Sequence, residues 1–235
     1  MTLYLFPNVL GAVKDYRPFF PSGVEEAVAQ IDGLIAESER EGRRFLKRFI
    51  TKKKPHEMPI ASLRKGEDVD FLLEPVVKGE NWGAVADAGL MCLADPGSEL
   101  IRRASQLQLP IHIFVGPSSI FLALMQSGLS GQRFTFHGYI SRKGAESLLQ
   151  WEKNSWREGS TQLFIETPYR NEQTFQLCLK LLKDKTLLCV ASQLTLPDQW
   201  IRTAPISEWK KMTGVSKQIA RKPTIFLFQS SSKIP

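Results

Sequence analysis

Apolar residues follow two rhythms along this chain: short unbroken runs that suit buried strands, and three-and-four spacings that suit one face of a helix. Leu3-Tyr4-Leu5-Phe6 opens a strand over residues 2–6, ended by Pro7 and Asn8. Val24, Ala27, Val28 and Ile31 predict a helix, with Ser22 placed to cap it and Glu25 and Glu26 in its first turn. Leu34-Ile35-Ala36 reads as a short strand. Residues 40–49 read as a very basic helix with Phe45, Leu46 and Phe49 on its apolar side. Val69, Leu72, Leu73 and Val76 predict another helix, residues 83–86 a buried strand, and Leu100, Ile101 and Ala104 the start of a helix. Residues 111–115 read as a buried strand and 120–125 as a helix. Strands alternating with helices imply a largely parallel sheet covered on both faces.

Residues 127–132 are polar and glycine-rich and read as a linker. The alternation then restarts. Strands are predicted over 133–137, 163–166, 187–191, 200–203 and 225–228, with helices over 145–156 and 172–182. The pattern predicts an α/β protein of two halves, residues 1–131 and 132–235, with a ligand cleft between them.

Composition narrows the class. Hydrophobic residues make up 43% and charged residues 23%, as in an ordinary globular protein. Only residues 230–235 have the composition of a disordered tail. No apolar run reaches the roughly 20 residues needed to span a bilayer. The apolar start lacks a basic leader and is cut short by Pro7, so it predicts a strand in a cytoplasmic protein. Cys92, Cys178 and Cys189 are widely spaced among apolar neighbours and read as buried thiols. His56, His112 and His137 lack metal-ligand spacing, so no metal is expected. The net charge of +7 suits a polyanionic partner such as RNA.

In open α/β sheets ligands sit at the carboxyl ends of strands. Four strand-end loops stand out there: Pro7-Asn8-Val9-Leu10-Gly11, Asp87-Ala88-Gly89, Gly116-Pro117-Ser118-Ser119 and Glu166-Thr167-Pro168-Tyr169-Arg170. Phosphate-loop, dinucleotide-loop and nucleophile-elbow signatures are absent, which argues against those chemistries.

The stretch Asp87-Ala88-Gly89-Leu90-Met91-Cys92-Leu93-Ala94-Asp95-Pro96-Gly97 resembles the D-A-G-T-P-L-I-S-D-P-G loop of the tetrapyrrole methylase superfamily. Within it, the chain is most similar to the branch that methylates a cytidine ribose 2′-hydroxyl in 16S ribosomal RNA. Further matches follow in order. Leu3-Tyr4-Leu5-Phe6-Pro7 resembles the opening strand, and Glu37-Ser38-Glu39-Arg40 sits where the family carries E-D-T-R. Gly116-Pro117-Ser118-Ser119, Ser127-Gly128-Leu129, residues 136–143 and Glu166-Thr167-Pro168-Tyr169-Arg170 match later motifs. The chain departs from the pattern at Leu90-Met91 (Thr-Pro in the family), Gly11-Ala12 (Gly-Asn), Tyr169 (His) and Gln193-Leu194-Thr195-Leu196 (E-L-T-K).

The resemblance implies two αβα domains, S-adenosylmethionine as methyl donor and a homodimer. Position by position, it implies that Leu10, Gly89, Leu90, Leu93, Ser118, Ser119, Thr167, Leu194 and Thr224 line the donor site. A ribose hydroxyl is a weak nucleophile, so a general base would help. Asp87, Glu37 and Glu166 are the strand-end candidates; the competing role is capping or pairing, with Arg40 for Glu37 and Arg170 for Glu166. A basic segment over residues 43–54, together with Arg142 and Lys143, suits RNA phosphates. Two alternatives stand beside the RNA methyltransferase reading: methylation of a small molecule such as a tetrapyrrole, and a non-catalytic relative that binds cofactor or RNA.

Overall fold

The computed structural model describes residues 1–64, 66–94, 96–141 and 144–230. The chain divides into two compact units, Met1–Ser118 and Ser119–Pro235. Arg142, Lys143, Asp95 and the tail 231–235, which entered the sequence expectations, lie outside the described residues.

The first unit is built on a five-stranded sheet in the order β3-β2-β4-β1-β5. Its strands are β1 (Thr2–Phe6), β2 (Gly33–Ala36), β3 (Ile60–Ser62), β4 (Asn81–Val85) and β5 (Ile111–Ile113). Every pairing is parallel. The helices between them are α1 (Gly23–Val28), α2 (Glu39–Leu46), α3 (Val69–Val77) and α4 (Ser98–Gln106). Strand residues alternate between two cores, as the pleat requires. Phe6, Leu34, Ala36 and Val85 pack with α1 and α2 through Val24, Val28, Phe45 and Leu46. Leu3, Leu5, Ile35 and Ala84 pack with α3 and α4 through Leu72, Leu73, Leu100 and Ala104. The central strands are buried on both faces, which explains why they read as continuous apolar runs.

The second unit carries β6 (Phe134–Tyr139), β7 (Thr161–Ile165), β8 (Leu187–Ser192), β9 (Trp200–Pro205) and β10 (Thr224–Gln229), in the order β6-β7-β10-β8-β9. Its helices are α5 (Ser119–Ser127), α6 (Gly144–Glu158), α7 (Asn171–Leu181), α8 (Ile206–Trp209) and α9 (Val215–Ile219). Here the parallel expectation fails. Only β6 and β7 run parallel, and β10, β8 and β9 join antiparallel. The β8–β9 connection contains no helix and returns the chain antiparallel, and the β9–β10 connection, which carries α8 and α9, crosses over β8, so both neighbours of β8 run against it.

Three further expectations need correction, and one strand had none. The division falls after Ser118, ahead of the predicted linker, because α5 packs on β9 and β10 and Thr203 Oγ1 donates to the Ser127 carbonyl at 2.7 Å. Ser22 occupies the N-cap position of α1, but its backbone is helical and its side chain makes no cap bond. Strand β5 is an edge strand rather than a buried one, and Ile113 is 67% exposed. The short strand β3 had no apolar run to announce it, since its three residues are all half-buried. The thiols follow the expectation at two positions. Burial pushes Cys178 up to about 12 and Cys189 up to about 11, whereas Cys92 is half-buried.

Two predictions follow from this packing. A methyl group on Gly83 would sit 2.6 Å from Phe6 Cε2 and 2.8 Å from Leu34 Cδ1, inside van der Waals contact. Gly83→Ala is expected to cost about 1–3 kcal/mol by overpacking, read as a shifted denaturant midpoint at unchanged slope. In the second unit, His137 stacks on Trp151 at 3.8 Å and bonds Gln162 Oε1 at 2.8 Å. Desolvation holds its pKa below the ordinary 6.5, against the opposing hydrogen bond. The unfolded state therefore binds the proton more readily. The stabilising contribution is fully present above about pH 6.5 and shrinks as pH falls from there towards the lower folded value. His137→Gln should flatten that part of the stability–pH curve, and an unchanged slope would refute the assignment.

Candidate active site at the strand ends of the first unit

The chain leaves β1 through α1 towards β2, on one side of β4, and leaves β4 through α4 towards β5, on the other side of β1. Neighbouring parallel strands whose connections part in opposite directions open a crevice at their carboxyl ends. That crevice lies between the loops beginning at Pro7 and Asp87, two of the four loops singled out by composition.

One buried side chain joins these loops. Asn8 is 1% exposed. Its Nδ2 donates to the carbonyls of Ala86 and Asp87, both at 3.0 Å. Its Oδ1 accepts from the Val9 amide at 2.9 Å and from Arg48 Nη1 at 2.9 Å. These four bonds use the full capacity of a side-chain amide. The backbones of Asn8 and Gly89 also exchange two hydrogen bonds, at 2.8 and 3.2 Å. Gly89 sits at φ +71°, and a Cβ there would lie 3.2 Å from Leu10 Cδ2 and 3.5 Å from the Pro117 carbonyl. The third loop is close as well, because Pro7 packs directly on the bare backbone of Gly116 and Leu90 Cδ2 lies beside it. Leu10, Gly89, Leu90 and the Gly116-Pro117 turn are thus brought together. Ser118 follows, buried, at the end of this unit, and Leu93 lies further along its loop, 38% exposed.

The remaining predicted positions belong to the second unit. Thr224 begins β10 opposite Ser192 and donates to its Oγ at 3.2 Å. Leu194 is buried two residues past β8, where the Gln193 amide bonds the Pro223 carbonyl. Thr167 is exposed beyond β7, and Ser119 opens α5 half-buried. Thr167, Leu194 and Thr224 therefore gather at one end of this sheet.

The three carboxylate candidates separate cleanly. Asp87 Oδ1 accepts from the Ser38 amide at 3.0 Å and the Ser38 hydroxyl at 2.7 Å, and Ser38 in turn caps α2. Glu166 accepts from Thr167 and Thr174 and pairs with Arg170 at 3.3 Å. Both hold local structure. Glu37 behaves differently. Its Oε2 accepts from the Asp87 amide at 3.1 Å, and it makes no ion pair among the described residues. The expected pairing with Arg40 is absent, because Arg40 turns to Glu41 at 3.2 Å.

The basic segment is largely occupied with structure. Arg43 bonds the carbonyls of Pro55 and Met58 and pairs with Glu39. Arg44 pairs with Glu41, and Lys52 with Asp32. Arg48 is the residue that composition misread. Burial lowers its pKa from the ordinary arginine value, partly offset by Glu41, and its guanidinium supports Asn8 rather than facing a polyanion. No local signal separated it from its basic neighbours.

A parallel α/β unit with a switch-point crevice, followed by a mixed-sheet α/β unit, is the two-domain architecture of class III methyltransferases. The chain belongs to the tetrapyrrole (corrin/porphyrin) methylases, whose family pattern matches residues 23–210, and it is a methyltransferase. Ribosomal RNA small subunit methyltransferase I of Streptococcus pyogenes is 28% identical over 202 residues, covering 86% of this chain and 68% of the relative. The protein of the same name from Bacillus subtilis is 27% identical over 211 residues, covering 88% and 68%. The fold matches the methyltransferase CobJ with a TM-score of 0.62 at 14% identity, over 97% of this chain and 93% of that one. It matches the cobalt precorrin-4 methyltransferase CbiF at 0.61 and 14%, over 97% and 94%.

Asn8→Ala would leave the half-buried Arg48 guanidinium and two loop carbonyls without their partner. The expected cost is about 2–4 kcal/mol, since unmet charged groups exceed the usual 1–3. Chemical denaturation measures it, and a change within about 0.5 kcal/mol, the range of ordinary surface substitutions, would show that the loops are held by other means.

Proposed function

We propose that this methyltransferase takes its methyl group from S-adenosylmethionine and places it on a ribose 2′-hydroxyl of small-subunit ribosomal RNA. The observation that carries the reading is the agreement between motif and geometry. The Asp87-Ala88-Gly89 turn, the strongest family resemblance, lies at the switch-point crevice and is locked there by Asn8. The relatives that match most of the chain carry the ribosomal RNA name.

The crevice suits the donor. Gly89 presents bare backbone at a position where a side chain would meet Leu10 and the Pro117 carbonyl. A ligand can approach such backbone closely. Leu10, Leu90 and Leu93 offer apolar surface for the donor in this reading, and Ser118 and Ser119 offer hydroxyls. When bound, the sulfonium supplies an activated methyl group, so its transfer depends mainly on placing the acceptor oxygen in line. The protein's own task is positional: Asn8 fixes the loops, and Glu37, whose carboxylate is not committed to a cation, remains to orient the acceptor.

A homodimer in the cytoplasm is part of the same reading. Ile113 and Val115, exposed at 67% and 75% on and beside the edge strand β5, support a second copy as partner. Light scattering is expected to give about twice 26.6 kDa.

The deciding assay supplies radiolabelled S-adenosylmethionine to small ribosomal subunits and to naked ribosomal RNA. Label is expected in a dinucleotide that survives alkaline hydrolysis, because a methylated 2′-oxygen cannot attack its own phosphodiester. Label entering a tetrapyrrole and neither RNA substrate would overturn the reading. Gly89→Val is expected to abolish binding of S-adenosylhomocysteine in calorimetry while the circular dichroism spectrum stays unchanged. Normal binding by that variant would place the donor elsewhere.

A further inference from the structure

A second feature of the first unit lies next to the Asp87 loop. A cavity of about 580 Å³ opens at the carboxyl ends of β2 and β3, against the start of α3 and α4. Its volume is that of a small-ligand pocket. Leu63 and Leu100, both buried, line it with apolar surface. Among the described residues, Arg64, Glu37, Glu67 and Glu99 supply its charge. Arg64, Glu67 and Glu99 make no side-chain hydrogen bond or ion pair among the described residues, and Glu37 commits one oxygen to the Asp87 amide. This is the only carboxylate of the three candidates that lines the cavity, and its bond to Asp87 joins the cavity wall to the proposed donor loop.

We infer that this cavity holds the acceptor nucleotide, unstacked from its RNA strand, with Glu37 accepting a hydrogen bond from the ribose hydroxyl. The inference rests on the RNA reading above and adds the acceptor's place to it. The chemistry of the lining selects the ligand. Apolar side chains suit the flat face of a base. Three carboxylates suit a ligand whose edge carries donors, as amino groups and sugar hydroxyls do. The Arg64 guanidinium, which makes no ion pair among the described residues, suits a single phosphate. A tetrapyrrole bearing several carboxylates would meet three like charges here, which disfavours it. Enzymes that act on one nucleotide take it out of the stack into such a pocket, and single-stranded RNA offers it with little unstacking cost. In the transfer step the ribose oxygen forms its bond to the methyl carbon as the donor's carbon–sulfur bond breaks. The electron pair stays on sulfur as a neutral thioether, and the hydroxyl proton passes to Glu37.

The test uses the full-length protein, a fluorescein-labelled ten-nucleotide single-stranded RNA, S-adenosylhomocysteine, and methyl transfer to small-subunit ribosomal RNA. Ser98 lines the cavity and is exposed, so Ser98→Trp fills the pocket without entering the core. Ser98→Trp and Arg64→Gln are expected to weaken binding of the RNA probe at least fivefold, with unchanged thermal unfolding and unchanged S-adenosylhomocysteine affinity. Glu37→Gln is expected to lower the transfer rate at least tenfold, while the probe still binds. A Ser98→Trp protein that binds the probe and methylates RNA like the wild type would overturn the inference and leave the RNA reading standing. Loss of S-adenosylhomocysteine affinity in Ser98→Trp would also overturn it, by showing that the cavity belongs to the donor. A wild-type protein that methylates no RNA would bring down the RNA reading itself, and this inference with it.

Discussion

The arrangement of the first unit turns on a single buried amide. Strand β1 ends beside β4, and at that point the backbone must leave the sheet in two directions with its polar groups no longer paired along the ladder. Asn8 meets that need with all of its hydrogen-bonding capacity, binding two carbonyls of the β4 loop, one amide of its own turn and a guanidinium from beyond α2. A buried polar group so placed is costly when half-satisfied and specifying when complete. Aspartate would lose both donors, and an aliphatic residue would strand four groups at once. The bare backbone of Gly89 is therefore held against Leu10 and Pro117 by an interaction that involves no ligand, so the crevice is preformed.

The same hydrogen-bond accounting sorts charges that look equivalent along the chain. Asp87, Glu166 and Glu37 are all carboxylates at strand ends, yet two of them are consumed by the turns they stabilise. The arginines of α2 divide likewise. Arg43 ties the helix to the loop before β3 through two carbonyls, whereas Arg44 makes only a surface pair with Glu41, of a kind worth at most about 1 kcal/mol. Net charge alone therefore overstates the surface available to a polyanion. Lys47, Lys53 and Lys54 remain exposed, without the arginines that composition grouped with them.

Much of this was legible in the sequence because the first sheet is parallel and doubly covered. Its central strands are almost continuously apolar, its helices show one apolar side, and Gly and Asp stand in the strand-end loops. The second sheet was less legible, since an apolar run such as 225–228 does not say which way its neighbour runs. Strand β5 shows the same limit from the other side. The mostly apolar stretch over 111–115 reads as buried, but the strand pairs only with β1, so its outer residues meet solvent. The site loops were readable as loops, whereas their ties were not. Asn8 and Ala86 are 78 residues apart, and nothing near either residue announces the other.

The departures from the family pattern become intelligible in the same terms. Met91, where the family carries proline, is 7% exposed and packs in the core shared by α3 and α4. Its thioether lies against Gly97, where a Cβ would come within 2.6 Å of Met91 Cγ, so the residue fills space beneath the loop rather than facing the crevice. The flexibility of an unbranched side chain suits such a gap. At the other divergent turn, Gln193 and Thr195 both take left-handed backbone at φ +55° and +70°. That strain is held by local polar bonds, Gln193 to Asp198 and the Thr195 amide to Gln199. The turn thus keeps its shape with its acid and its lysine replaced by other residues, and Leu194 stays buried at its centre. Both substitutions fall where packing or turn geometry decides the residue, and neither touches the Asn8 network or the Glu37 carboxylate.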